Sequence, residues 1–231
     1  MTITLKAVLL DLDGTLLDTL PDLAAAANAM RREMGMPELE YEQIGTFIGK
    51  GVDNLVRRTL SASLVTVDLP EETFEQARAI FYQHYTELNG KASTFYPGVI
   101  EGIEAFAKMG LKLAVVTNKP TVFTIPLLER TDLAKYMSAV VCGDTCPKRK
   151  PDPDQFLFAC AQLGVAPEQT LAIGDSINDA LAARTAGCKV LAVPYGYNEG
   201  ESVDDLPVDG IVQTIIEASH WARQHYSGLS S

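Results

Sequence analysis

The sequence predicts an α/β protein: a doubly wound, Rossmann-like parallel sheet with an α-helical cap inserted after the first strand. Three observations predict it. Short apolar runs rich in β-branched residues alternate with helical patterns along most of the chain. Those runs are nearly continuous in apolar residues, as strands covered on both faces must be. The stretch from about residue 19 to 90 breaks this rhythm, with amphipathic stripes and no strand pattern.

Ala7–Leu12 (AVLLDL) reads as the first strand. The helical block follows. Leu20, Leu23, Ala24, Ala27, Met30 and Met34 form one stripe, and Val52, Leu55, Val56, Leu60 and Leu64 a second. Phe74, Ala77, Phe81, Tyr85 and Leu88 form a third. Each has the i, i+3, i+4 recurrence of a helix with one buried face. A strandless insertion of about seventy residues exceeds an ordinary crossover. The division expected is therefore a core of residues 1–17 and 92–231 with a helical cap of residues 18–91. Phe95-Tyr96-Pro97-Gly98 punctuates the return. Val99, Ile100, Ile103, Phe106 and Ala107 then recur at helical spacing, as do Phe156, Ala159, Cys160 and Leu163. The remaining strands are Leu113–Thr117, Ala139–Cys142, Leu171–Gly174 and Val190–Val193. Pro126 falls inside a helical pattern, Val122–Leu128, and is expected to kink or restart it.

Composition removes several function classes. The 231 residues are 47% hydrophobic and carry a formal net charge of −11. A chain this apolar buries a core, so it is not a disordered segment. Its acid excess argues against binding nucleic acid or an anionic membrane surface. No apolar run reaches the ~20 residues of a membrane span, and Met1 to Lys6 lacks the charged start of a leader. A cytoplasmic monomer or homodimer is expected. The four cysteines contain no C-x-x-C pair and read as reduced residues in or near the core. The three histidines contain no H-x-x-x-H pair, which argues against a histidine metal site.

The chemistry-bearing residues gather at strand ends. Asp11-Leu12-Asp13-Gly14-Thr15 closes the first strand, placing two carboxylates on one side of an extended chain. Burying both costs several kcal/mol unless a partner compensates, and a divalent cation with oxygen ligands is one such partner. Gly14 allows a tight turn whose N–H groups suit an anion. Gly174-Asp175-Ser176-Ile177-Asn178-Asp179 closes another strand and opens a helix. Thr117 and Asn118 end a third, with a hydroxyl and N–H groups suited to phosphate oxygens. Lys150 lies in the only dense basic run, Lys148-Arg149-Lys150-Pro151. In a doubly wound sheet these strand ends share one edge, where ligands bind.

These motifs resemble the haloacid dehalogenase superfamily of phosphotransferases over nearly the whole chain. Asp11-x-Asp13-Gly14-Thr15 resembles its first motif, Thr117 its second, Lys150 its third and Gly174-Asp175-Ser176-x-x-Asp179 its fourth. Within it, DLDGTLLD (11–18), IGKG (48–51), TNKP (117–120) and KPDP (150–153) resemble phosphoglycolate phosphatases. The resemblance implies a phosphomonoester hydrolase working through an aspartyl phosphate on Asp11, with Asp13 as general acid and then base. It implies Mg²⁺ held by the Asp11 carboxylate, the Asp13 carbonyl and the Asp175 carboxylate, with Asp179 orienting Lys150 or a metal-bound water. Gly14, Thr117, Asn118 and Lys150 would bind the phosphoryl group. A small phosphorylated metabolite, 2-phosphoglycolate above all, is the substrate class expected. Other small phosphate substrates, a phosphoglucomutase-type transfer and a non-enzymatic phosphoacceptor are the alternatives. Mutual repulsion among the aspartates is expected to keep a proton on Asp13. Lys50, between two glycines of the cap, is the expected contact for a substrate carboxylate.

Overall fold

The computed structural model describes residues 4–229. The outermost residues of the N-terminal reading, and of the expected core bounds, lie outside that range. β1 (Ala7–Leu10) leads into a two-residue strand β2 (Leu17–Asp18). Four helices follow: α1 (Leu20–Glu33), α2 (Tyr41–Gly45), α3 (Val52–Ser61) and α4 (Glu71–Leu88). β3 (Thr94–Phe95) returns antiparallel to β2, so the exit from and re-entry into the core are hydrogen-bonded to each other. The chain continues with α5 (Val99–Lys108), β4 (Lys112–Val116), α6 (Thr121–Arg130) and β5 (Ala139–Val141). It ends with α7 (Asp154–Leu163), β6 (Thr170–Gly174), α8 (Ile177–Ala186), β7 (Lys189–Ala192), β8 (Gly210–Ile211) and α9 (Ile215–His225).

The main sheet is wholly parallel, in the order β5-β4-β1-β6-β7-β8. Its central strand shows why the sequence reads as continuously apolar. Val8 and Leu10 pack with Val99, Ile103 and Phe106 of α5 and Ile215 of α9. Ala7 and Leu9 pack with Phe156 and Ala159 of α7 and Ala182 and Ala183 of α8 on the opposite face. Side chains alternate with a period of two, and both faces are covered.

The helical block has its own core, in which Leu23, Met30, Ile44, Val56, Phe74 and Phe81 meet, joined by Phe123 and Tyr197 from the sheet domain. One difference from the sequence reading has a simple cause. The second stripe extends to Leu64, but α3 stops at Ser61: Ala62 adopts a left-handed conformation at its C-cap and Leu64 is exposed. Pro126 sits inside α6, which continues from Thr121 to Arg130 rather than restarting.

Candidate active site

Parallel strands bring their C-terminal ends to one edge. Asp11 follows β1, and β1 pairs with β4 on one side and β6 on the other. Thr117 and Asp175, which follow those neighbours, therefore flank Asp11 by construction. Lys150 reaches the same point from the segment between β5 and α7. Its backbone N–H donates to Gln155 Oε1 at 2.8 Å, and Gln155 Nε2 donates to the carbonyls of Thr117 and Cys142, both at 2.8 Å. That fully buried glutamine fixes the lysine's segment to the strand ends.

The Lys150 ammonium is buried. Nζ donates to Asp179 Oδ1 at 2.7 Å and to the Val116 carbonyl at 2.9 Å, and lies 2.8 Å from Asp11 Oδ1. Asp179 also accepts from the hydroxyl and N–H of Ser176, which caps α8. Asp175 accepts from Thr15 Oγ1 and from the Tyr197 N–H, each at 2.6 Å. Gly14 turns at φ +89°, where a Cβ would strike the Asp175 carboxylate. Only glycine allows both the turn and the approach.

The carboxylates of Asp11, Asp175 and Asp179 offer oxygens within 4.8 Å of one another. One buried ammonium does not neutralise three such acids. Burial pushes the Asp11 carboxyl up to about 7 even though Lys150 pulls the other way. Burial, then the charges of Asp11 and Asp179, raise Asp175 well above the ordinary range. Asp11 Oδ1 is buried and accepts no hydrogen bond of good geometry. A crowded, under-neutralised set of hard oxygens of this kind fits a divalent cation.

Asp13 stands apart from that cluster. Its Oδ1 accepts from Thr19 Oγ1 at 2.6 Å and from Lys119 Nζ at 2.9 Å. The acids raised by burial and repulsion are Asp11 and Asp175, while Asp13 has its own cation.

Of the remaining expected residues, Thr117 is buried and its hydroxyl accepts from the Lys119 N–H at 3.1 Å. Asn118 acts as a strut: its amide donates to the Lys150 carbonyl and to the Gly49 carbonyl of the helical block, both at 3.0 Å. A pocket is walled by Asp11, Asp13, Thr117, Asn118 and Lys119 below and by Leu23, Ile48, Gly49, Gly51, Val52 and Leu55 above. Lys50 is not among these walls. It lines an adjoining cleft with Arg57 and Arg149, and its Nζ is 2.6 Å from Glu199 Oε1. Glu199 also pairs with buried Arg58 at 2.7 Å, so the segment after β7 is clamped to the helical block.

Several residues carry weight that sequence reasoning passed over. Lys119 was visible only as part of TNKP. Tyr85 looked like one more core aromatic, yet its hydroxyl meets Lys119. By position Asp22 is an ordinary acid of the first turn of α1. It is buried, and it accepts from the N–H groups of Gly90, Ala92 and Ser93 and from Ser93 Oγ. Both connections between core and cap are thereby tied to one carboxylate. Tyr197 performs a matching task, its hydroxyl accepting from the N–H groups of Thr19 and Leu20 and donating to Asp18. The only sequence signal for these contacts was an acid or a hydroxyl near a punctuation point.

Comparison with known proteins agrees with this geometry. Residues 8–193 match the family model described as haloacid dehalogenase-like hydrolase. A phosphoglycolate phosphatase of Thiobacillus denitrificans is 49% identical over 93% of this chain and 94% of its own. One of Nitrosospira multiformis is 46% identical over the same shares, 93% and 94%. The crystal structure titled as a predicted phosphoglycolate phosphatase from Haemophilus somnus 129pt superposes with a TM-score of 0.88 at 33% identity, covering 95% of this chain and 98% of that one. The chain therefore belongs to the haloacid dehalogenase-like hydrolase family, as a phosphatase of that family.

Proposed function

We propose that the protein is a Mg²⁺-dependent phosphomonoester hydrolase that converts 2-phosphoglycolate to glycolate and phosphate through an aspartyl phosphate on Asp11. The observation that carries the proposal is the meeting of Asp11, Asp175, Asp179 and Lys150 in one nearly buried cluster, with Asp13 in a separate ion pair beside it. The relatives' names supply the substrate.

In this mechanism an Asp11 carboxylate oxygen attacks phosphorus while Lys150 holds the carboxylate and a phosphoryl oxygen. Asp13 gives its proton to the departing alkoxide, and glycolate leaves. Asp13 then takes a proton from the water that attacks the aspartyl phosphate, which restores Asp11 and releases phosphate. Splitting the displacement in two is the advantage of a covalent route. Thr117 and the N–H groups of the turn after Asp11 orient the transferring oxygens; the Gly14 N–H, expected to join them, donates instead to the Leu17 carbonyl at 2.9 Å and holds the turn. The Asp11 and Asp175 carboxylates and the Asp13 carbonyl would hold Mg²⁺, which supplies the positive charge that screens phosphate from the aspartates. Asp179 keeps Lys150 in place. The helical block, residues 18–91, acts as the cap that keeps bulk water out.

The test is phosphate release from 2-phosphoglycolate. Turnover with Mg²⁺, none with EDTA, and none in Asp11→Asn with Mg²⁺ is the expected pattern. Metal-independent turnover, or full activity in Asp11→Asn, would refute it.

A further inference from the structure

Resting on that reading, we propose that Lys119 is the residue that selects the substrate's leaving group. Its ammonium takes an anionic group, a carboxylate above all, one methylene beyond the ester oxygen. Four observations carry this.

Apart from Lys150, which the mechanism gives to the phosphoryl group, Lys119 is the basic side chain among the described residues that line the pocket. The facing cap walls, from Leu23, Ile48, Val52 and Leu55, offer only apolar side chains, so an anion on the leaving group meets no cation from them; the Arg149 guanidinium packs against Gly51 from the adjoining cleft. An ammonium has three donors. Two are assigned, to Asp13 Oδ1 at 2.9 Å and to Tyr85 OH, and the third has no protein partner. Finally, Lys119 touches the acid proposed to protonate the leaving oxygen. A group bonded to that oxygen through one carbon, as in P–O–CH₂–COO⁻, is thereby brought to the same ammonium.

The holding arrangement suits selection. The Lys119 side chain is only 2% exposed and Tyr85 is fully buried, so the charge is fixed rather than swung on a solvated stem. Nζ also lies over the Tyr85 ring, 4.7 Å from its centroid. Tyr85 belongs to α4, so the helical block contributes to the anchor by orienting a core lysine rather than by presenting a cation of its own. Lys50, by contrast, is committed to Glu199 outside the pocket.

The experiment compares kcat/KM for 2-phosphoglycolate with that for ethyl phosphate, which lacks the carboxylate, in the wild type, Lys119→Met, Tyr85→Phe and Lys50→Ala. Loss of a charge-assisted contact is expected to lower the ratio of the two values by roughly 10- to 100-fold in Lys119→Met. Tyr85→Phe should lower it less, and Lys50→Ala should preserve it. Any harm to Asp13 falls on both esters and cancels in the ratio. An unchanged ratio in Lys119→Met, or a collapse in Lys50→Ala alone, overturns the proposal while leaving the phosphatase reading intact. A wild type that turns over neither ester overturns the phosphatase reading. The anchor is then decided by binding: 2-phosphoglycolate must raise the Tm of the wild type more than that of Lys119→Met, and equal shifts overturn it. Should Lys119→Met fail to fold, Tyr85→Phe with an unchanged ratio overturns it.

Discussion

Asp11→Asn should destroy turnover and yet make the metal-free protein more stable. Asp11 is pushed from an ordinary 3.8 up to about 7, by burial first. Each pH unit is worth about 1.4 kcal/mol. With Asp11 ionised, the folded state therefore forgoes up to roughly 4 kcal/mol, and about half that after allowing for residual solvent contact and relaxation. The amide removes the charge and leaves Lys150 with Asp179 Oδ1 and the Val116 carbonyl. The sign follows from linkage. A carboxyl raised on folding binds its proton more tightly in the folded state, so stability falls as pH rises from near 4 to near 7, and the full penalty is present above that. The gain from Asp11→Asn should be largest at pH 8, shrink through pH 7 and vanish near pH 4. For a chain of 231 residues, about 2 kcal/mol corresponds to a Tm rise of roughly 4–8 °C. Thermal unfolding in EDTA at a series of pH values measures it. A variant less stable than the wild type at pH 8, or a gain that ignores pH, would refute the reasoning.

Three further predictions concern the frame around the site. Asp22→Ala leaves the N–H groups of Gly90, Ala92 and Ser93 without their shared acceptor and should cost about 3 kcal/mol or more in urea unfolding; a loss below about 1 kcal/mol would show that the carboxylate does not tie the two connections. Glu199→Gln weakens the clamp to Lys50 and Arg58, so steady-state kinetics should show a higher KM with a stability change within about 1 kcal/mol; an unchanged KM would separate the clamp from substrate capture. Gly14→Ala forces a Cβ against Asp175 at positive φ, costs roughly 1–2 kcal/mol in backbone strain alone, and should abolish Mg²⁺-dependent phosphate release; retained activity would mean that the turn relaxes freely.

The legible part of this protein is the part governed by local pattern. β1, β4, β6 and β7 are apolar runs because each is covered on both faces, and their ends are marked where the apolar pattern gives way to Asp11, Thr117 and Asp175. The short strands were not legible. β2 and β3 are two residues each and exist because Leu17 and Asp18 meet Phe95 and Thr94 across the whole helical insertion. Two residues carry no period. Helix ends were equally local decisions made by conformation: Leu64 fits the apolar stripe of α3, but the left-handed Ala62 ends the helix before it.

Within the site, the sequence by itself determined which residues arrive at the sheet edge. Strand order and the parallel arrangement put Asp11, Thr117 and Asp175 side by side, and short motifs named them. Only the tertiary structure decided how their charges are shared. Lys119 reaches Asp13 across 106 positions, and Arg58 reaches Glu199 across 141. Those pairings gave Asp13 a cation, tied Glu199 to the helical block, and left Asp11 and Asp175 to carry the cost of burial. Charge sharing depends on distance and on exclusion of water, and neither is set until residues far apart in the chain are packed together.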